Sequence, residues 1–378
     1  MALGYEFLLA LALVYGTSYL LKFLETYDVP VLAVEILAGI LFGAVLGVVG
    51  PHIAGYEVLT SVAAFGLLMI MFDAGLELDP YLIREDPSMI AKMAALTFVL
   101  PFLSGVGLAL FLGLPLFAAF LVGITISTTS IGLVYPLLED TDRGQHILAV
   151  TVMNDVLSVV ALAYGVTLVT ATRPLVGIGT VTAVLLLFLV VVPLYLVDPL
   201  SRFMDEWVFD NPVKFGLFFT LAFAVILEKI GIHAILGAFF AGLLIAEITH
   251  EGHRVERSMK PVLQMTAPVF FFYVGMNVSF GALAAGGSAL LGLVLLLGIG
   301  SKMIGAGLGG WLTGSDRTTT LLLAAAVPGR LSISVAAAEV GRAEGIIGPE
   351  LYDAFILLSV VSVFLAVLMF RQVMAREA

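Results

Sequence analysis

The 378-residue chain has no cysteine, which excludes disulfides, thiolate metal sites and thiol redox chemistry. Charge is scarce as well: Asp, Glu, Lys and Arg make up 12% of the residues, about half the share of an ordinary soluble domain. The net charge is −11 and no basic patch is present, so nucleic acid is not an expected partner. Long polar stretches are missing too, and no soluble regulatory domain is expected. Apolar residues fill the chain instead, 61% of it. They come in successive runs of about 17–25 residues, each long enough to cross the hydrocarbon core of a bilayer.

Thirteen such segments follow one another, at about 4–24, 29–49, 57–77, 88–112, 115–138, 146–170, 175–197, 212–230, 232–248, 256–277, 285–313, 318–340 and 350–371. The ninth is the shortest. The first lacks the basic flank and small-residue cleavage site of a signal peptide. Twelve of the seventeen Lys and Arg lie in or within about five residues of the loops after odd-numbered segments and three near those after even ones, while Lys302 and Arg330 fall deep inside segments. Basic residues favour cytoplasmic loops, which predicts an outside N-terminus, a cytoplasmic C-terminus and an odd number of spans.

Polar residues inside these segments carry the functional signal. A carboxylate near the middle of a membrane costs several kcal/mol, so Asp155, beside Asn154 in the sixth segment, points to a use. The fifth segment is interrupted by Thr128-Thr129-Ser130, with Gly132 and Pro136 following; the twelfth is interrupted by Pro328-Gly329-Arg330, with Ser332 and Ser334 following. Six segments, a linking segment and six more place these breaks at equivalent positions of an inverted repeat. The boundaries are about 4–170 for repeat one, 175–197 for the link and 212–371 for repeat two. Paired interrupted helices mark a transport site at the midplane, because freed backbone groups and helix ends face an ion or its counter-charge there. At about 1.5 Å per residue, Asp155, Ser130, Lys302 and Arg330 all fall in the middle third of their segments.

The order of these features resembles the monovalent cation:proton antiporter superfamily, which includes sodium/proton exchangers of the NhaP and NapA types. The shared features are a Thr/Ser break, Asn154-Asp155, Lys302 and a Gly329-Arg330 break. Phe72-Asp73-Ala74-Gly75 is similar to the family's third-segment motif, Gly237 to Gly242 to its ninth, and Phe270 to Met276 to its tenth. The resemblance covers nearly the whole chain. It implies an all-α polytopic fold with crossed broken helices, a homodimer, and a prokaryotic inner membrane as the location. Asn154-Asp155, Asp73 and Thr151 match the electroneutral branch, whereas Lys302 resembles the lysine of the electrogenic one.

The chemistry also follows from the residues. A hard monovalent cation prefers oxygen ligands, and Asp155, Asp73, Thr129, Ser130 and Thr151 can supply them; Na⁺ is expected on Asp155, Thr129 and Asp73. A carboxylate neutral with H⁺ and neutral with Na⁺ makes the two compete. Exchange follows if only neutralised states cross between inward and outward conformations. Asn154 is expected to orient the breaks, and Lys302 or Arg330 to compensate charge there. The substrates are then Na⁺, Li⁺ or K⁺ and H⁺, with no cofactor and no enzymatic reaction.

Other readings carry less. Lys302 and Arg330 can act as structural counter-ions, Asp73 can snorkel from its segment end, and membrane hydroxyls often bond their own helix. A potassium exchanger of the Kef type and a bile-acid-like organic-anion symporter remain alternatives. An intramembrane aspartyl protease lacks its motifs here. Gly305 to Gly310 fits a dinucleotide pattern formally, but it follows a membrane helix rather than a strand. Glu247, His250, Glu251 and His253 read as a solvated loop. Gly39, Gly43 and Gly47 form a small-residue stripe suited to close packing against a helix or a second subunit.

Overall fold

The computed structural model describes residues 5–27, 30–77, 86–130, 134, 138, 144–170, 174–197, 201, 211–248, 252–279 and 287–377. Among them there is no strand. Fourteen α-helices follow in order: α1 (Tyr5–Leu20), α2 (Val31–Gly39), α3 (Tyr56–Leu76), α4 (Pro87–Phe111), α5 (Leu116–Ser127), α6 (Gly144–Thr170), α7 (Pro174–Leu186), α8 (Pro212–Lys229), α9 (Ala234–Ile248), α10 (Gly252–Met276), α11 (Ser288–Thr313), α12 (Arg317–Ala326), α13 (Ser332–Ala343) and α14 (Pro349–Glu377). Each of the thirteen expected segments contains one of these, and the twelfth contains two. The second and seventh continue as π-helical turns, Ile40–Val45 and Leu187–Leu196.

Local chemistry sets several boundaries. Asp86 and Asn211 cap α4 and α8 by accepting from the Met89 and Lys214 amides at 3.0 and 2.9 Å, each followed by proline at the first helical position. Asp316 caps α12 from the Thr319 amide. Gly314, at φ +68°, ends α11 in the left-handed conformation that glycine tolerates best. Large apolar side chains such as Phe111 (82% exposed) and Trp311 (77%) point outward. In water that surface is unfavourable, and against lipid it is the expected exterior. Among the described residues seven helices are long and apolar enough to span a membrane by themselves, and three shorter apolar ones accompany them.

The helices form two compact units. The first comprises Met1–Tyr56, Asp79–Leu162 and Phe271–Ala378, and the second Glu57–Leu78 and Ala163–Phe270. In the first, α4 lies between α5 and α11, while α14 packs on α11, α12 and α13. In the second, α8 packs along α9. Glycines bring backbones together in both. A Cβ on Gly39 would strike the Phe272 carbonyl, and one on Gly275 the Ile36 carbonyl, so α2 and the end of α10 touch backbone to backbone. The small-residue stripe therefore meets another helix of the same chain at Gly39 and Gly43. Gly47, at φ +62°, has nothing within 4 Å of an added Cβ and serves a turn instead.

In the second unit, Gly75 and Gly242 hold α3 against α9 in the same way. A Cβ on Gly75 would lie 2.8 Å from the Leu243 nitrogen, and one on Gly242 would lie 3.0 Å from the Leu76 nitrogen. Backbone cannot yield as a side-chain tip can. Gly242→Val is therefore expected to lower stability by about 1–3 kcal/mol, visible as a lower melting temperature in detergent and a smaller folded fraction on size exclusion.

Candidate functional site

The first unit contains the two interrupted segments, and hydrogen bonds tie their breaks together. Helix α5 stops at Ser127, and Thr128 turns to extended backbone, φ −62° and ψ 159°. Helix α12 stops at Ala326, and α13 restarts at Ser332. Between them the Ser130 amide donates to the Gly329 carbonyl at 3.1 Å. The Ser334 hydroxyl donates to the Thr125 carbonyl at 3.0 Å and receives Ser359 of α14 at 3.4 Å. Backbone groups released by breaking two helices in a low-dielectric interior are thus satisfied by one another and by hydroxyls. Gly132 and Pro136 of the fifth segment lie outside the described residues.

Two fully buried cations complete the crossing. Arg330, 0% exposed, donates to three main-chain carbonyls: Pro328 of its own break at 3.2 Å, Gly298 in the middle of α11 at 2.6 Å, and Ile126 in the last turn of α5. The last contact places positive charge at the negative end of a helix dipole. Lys302 of α11, also 0% exposed, donates to the Thr129 hydroxyl at 2.5 Å, and that hydroxyl faces the Val327 carbonyl at 3.4 Å. Three elements meet at Thr129 through one oxygen. Both the Asp155 carboxylate and the Arg330 guanidinium act electrostatically on Lys302.

Asp155 sits about 16 Å along the 27-residue helix α6 and is partly buried. Asn154 beside it is fully buried, and its amide nitrogen donates to Thr97 of α4 at 2.9 Å and to the Val150 carbonyl at 3.0 Å. Among the described residues these bonds reach α4 and its own helix. The Thr151 hydroxyl bonds its own helix at Ile147, 2.9 Å, as membrane hydroxyls commonly do. Ser130 is buried at the crossing, where its amide makes the contact with Gly329.

Of the eight residues expected at the site, the first unit holds Asp155, Asn154, Thr129, Ser130, Thr151, Lys302 and Arg330. Asp73 belongs to the second unit, on α3, where Glu256 and Lys260 of α10 act on it electrostatically. Thr97 was not anticipated, because a threonine in an unbroken apolar helix gives no sequence signal. Thr128 is a further candidate ligand: its hydroxyl is enclosed with no hydrogen-bond partner among the described residues. Its place in the Thr128-Thr129-Ser130 run was the available signal. Among the described residues no three His, Cys, Asp or Glu side chains cluster as a metal site. A cation held here would take one carboxylate and neutral oxygens. Of the acidic and histidine cluster, His250, Glu251 and the side chain of His253 lie outside the described residues.

Comparison with known proteins bears on the family and the fold. The family model described as "Sodium/hydrogen exchanger, transmembrane" matches residues 8–376. The Na(+)/H(+)-K(+) antiporter GerN of Bacillus cereus is 26% identical over 327 residues, 83% of this chain and 84% of its own length. The probable Na(+)/H(+) antiporter 3 of Methanocaldococcus jannaschii is 25% identical over 371 residues, 95% of this chain and 93% of its own. The structure of the sodium proton antiporter MjNhaP1 from Methanocaldococcus jannaschii superposes with a TM-score of 0.71 at 18% identity, covering 97% of this chain and 99% of that one. That likeness concerns the fold. With the family model running over almost every residue that builds the helices and both breaks, the chain belongs to the sodium/hydrogen exchanger family.

Proposed function

We propose that the protein is a secondary antiporter, not an enzyme, exchanging Na⁺ or Li⁺ for H⁺ by alternating access with Asp155 as the shared site. The observation that carries this reading is the position of Asp155, a carboxylate deep in α6 with the Lys302 ammonium acting on it beside the tied breaks. An ion-free carboxylate in a low-dielectric interior is costly, and a bound proton or monovalent cation removes that cost. Two cargoes that neutralise one charge exclude each other, so each turnover moves one in place of the other. Asn154, Ser130, Thr128 and Thr129 are proposed as the neutral oxygen donors around it. Lys302 donates to the Thr129 hydroxyl, while Asp73 and Thr151 are proposed as secondary ligands.

Arg330, on main-chain carbonyls, and Lys302, on the Thr129 hydroxyl, keep the crossing rigid, so the breaks move as one body. Asn154-Asp155 favours one-for-one exchange. Lys302 supports the electrogenic alternative if it gives up a proton as Asp155 is loaded. A homodimer in a prokaryotic inner membrane completes the proposal. K⁺ is the second cargo to test, since GerN is named as an Na(+)/H(+)-K(+) antiporter. The experiment is cation-triggered dissipation of a pH gradient in proteoliposomes, with Na⁺, Li⁺ and K⁺ added separately and the membrane potential first clamped, then free. Na⁺-dependent proton movement insensitive to potential supports electroneutral exchange. Dependence on potential supports the lysine-coupled version, and no response to any cation overturns the antiport reading.

A further inference from the structure

We propose that Thr97 of α4 is a positioning residue for ion binding. It turns the Asn154 amide so that the carbonyl oxygen stays open as a neutral ligand for the transported cation. This rests on the antiport reading above and adds to it a residue outside both breaks.

The hydrogen bonds determine how the amide is turned. A main-chain carbonyl can only accept, so the Asn154 atom 3.0 Å from the Val150 carbonyl must be the nitrogen. The same nitrogen donates to Thr97 at 2.9 Å, which uses both of its hydrogens. Thr97 sends its own hydroxyl hydrogen to the Met93 carbonyl at 2.7 Å, with the Ala94 carbonyl at 3.2 Å, and so meets Asn154 with lone pairs alone. Donation runs one way, from Asn154 to Thr97 to the α4 backbone. The opposite end of the amide, the Asn154 Oδ1, is enclosed and has no hydrogen-bond partner among the described residues.

Buried acceptors are seldom left unmet unless a water, an ion or a ligand completes them. This one sits one residue from Asp155, and a cation stripped of its water needs several such oxygens. Thr97 is itself held in place. A Cβ on Gly305 of α11 would lie 2.6 Å from the Leu96 carbonyl and 3.0 Å from the Thr97 Cα, so α4 is pressed against α11 at this level and cannot drift. Thr97 is 0% exposed, and among the described residues its hydroxyl bonds Asn154 and its own helix alone.

The test is the KM for Na⁺ in proteoliposome exchange, compared with the maximal rate. Thr97→Val keeps the shape of the side chain and removes the acceptor, freeing the amide to swing. KM for Na⁺ is expected to rise about tenfold, with a much smaller change in maximal rate. Thr97→Ser restores the hydroxyl and should restore KM. Adding Thr97→Val to Asn154→Ala should raise KM no further than Asn154→Ala alone, because the threonine acts through the amide. If Thr97→Val does not fold, Thr97→Ala against Thr97→Ser carries the same comparison. An unchanged KM, a lower rate at unchanged KM, or a full additional rise on Asn154→Ala would overturn the proposal. In each of these cases the wild type still exchanges Na⁺ for H⁺, whereas a wild type that moves no protons on Na⁺ addition overturns the antiport reading and this inference with it.

Discussion

Asp155→Asn is expected to reduce cation-triggered proton movement to the level of protein-free liposomes for every cation the wild type transports. The amide keeps the size of the side chain and one oxygen, so α6 and its packing survive. It cannot take up or release a proton, and it carries no charge for a cation to neutralise. Both halves of the exchange are lost together, unlike a ligand variant that only weakens the cation. Asn154→Ala and Ser130→Ala remove neutral oxygens and should raise KM while leaving exchange measurable. An intact elution profile and melting temperature for Asp155→Asn would separate loss of chemistry from loss of fold.

Arg330→Met is expected to have the largest effect on folding. Arg330 is fully buried, and its donors satisfy carbonyls of α5, of α11 and of its own break. Methionine fills much of the volume but donates nothing. Each buried acceptor left unmet costs about 1–3 kcal/mol, and two or three at once approach the whole stability of an ordinary domain. The variant should yield little folded protein and a markedly lower melting temperature in detergent. Arg330→Lys keeps the charge but not the planar fork, so it can reach one carbonyl where arginine reaches three, and an intermediate loss is expected. An Arg330→Met protein that melts like wild type would remove the guanidinium from its place as the keystone of the crossing.

Much of the fold was legible because lipid imposes a simple rule: spans of about 20 apolar residues with their backbone satisfied internally. All thirteen expected segments hold helices, down to the ninth, where α9 runs for 15 residues. The breaks were legible because hydroxyls, Gly329 and Pro328 interrupt runs that are otherwise continuous. Partners were less so. Helical periodicity says which residues share a face and nothing about which helix that face meets. Thr97 and Asn154, 57 residues apart, could not be paired that way. Nor could Gly75 and Gly242, whose motifs suggested function and whose observed role is backbone contact between α3 and α9. Arg330 was readable as a buried cation, but its three carbonyls come from three separate stretches of chain.

The central claim, one carboxylate shared by proton and cation, is tested most directly by proton release on cation binding. Na⁺ is added to the purified protein in detergent under weak buffering, at a series of pH values. Wild type should release up to about one proton per chain as Na⁺ binds. Its apparent Na⁺ affinity should fall as pH falls, by about tenfold per unit where the site is mostly protonated. Asp155→Asn should release none. Na⁺ binding that liberates no proton, or an affinity indifferent to pH, would contradict a shared site at Asp155.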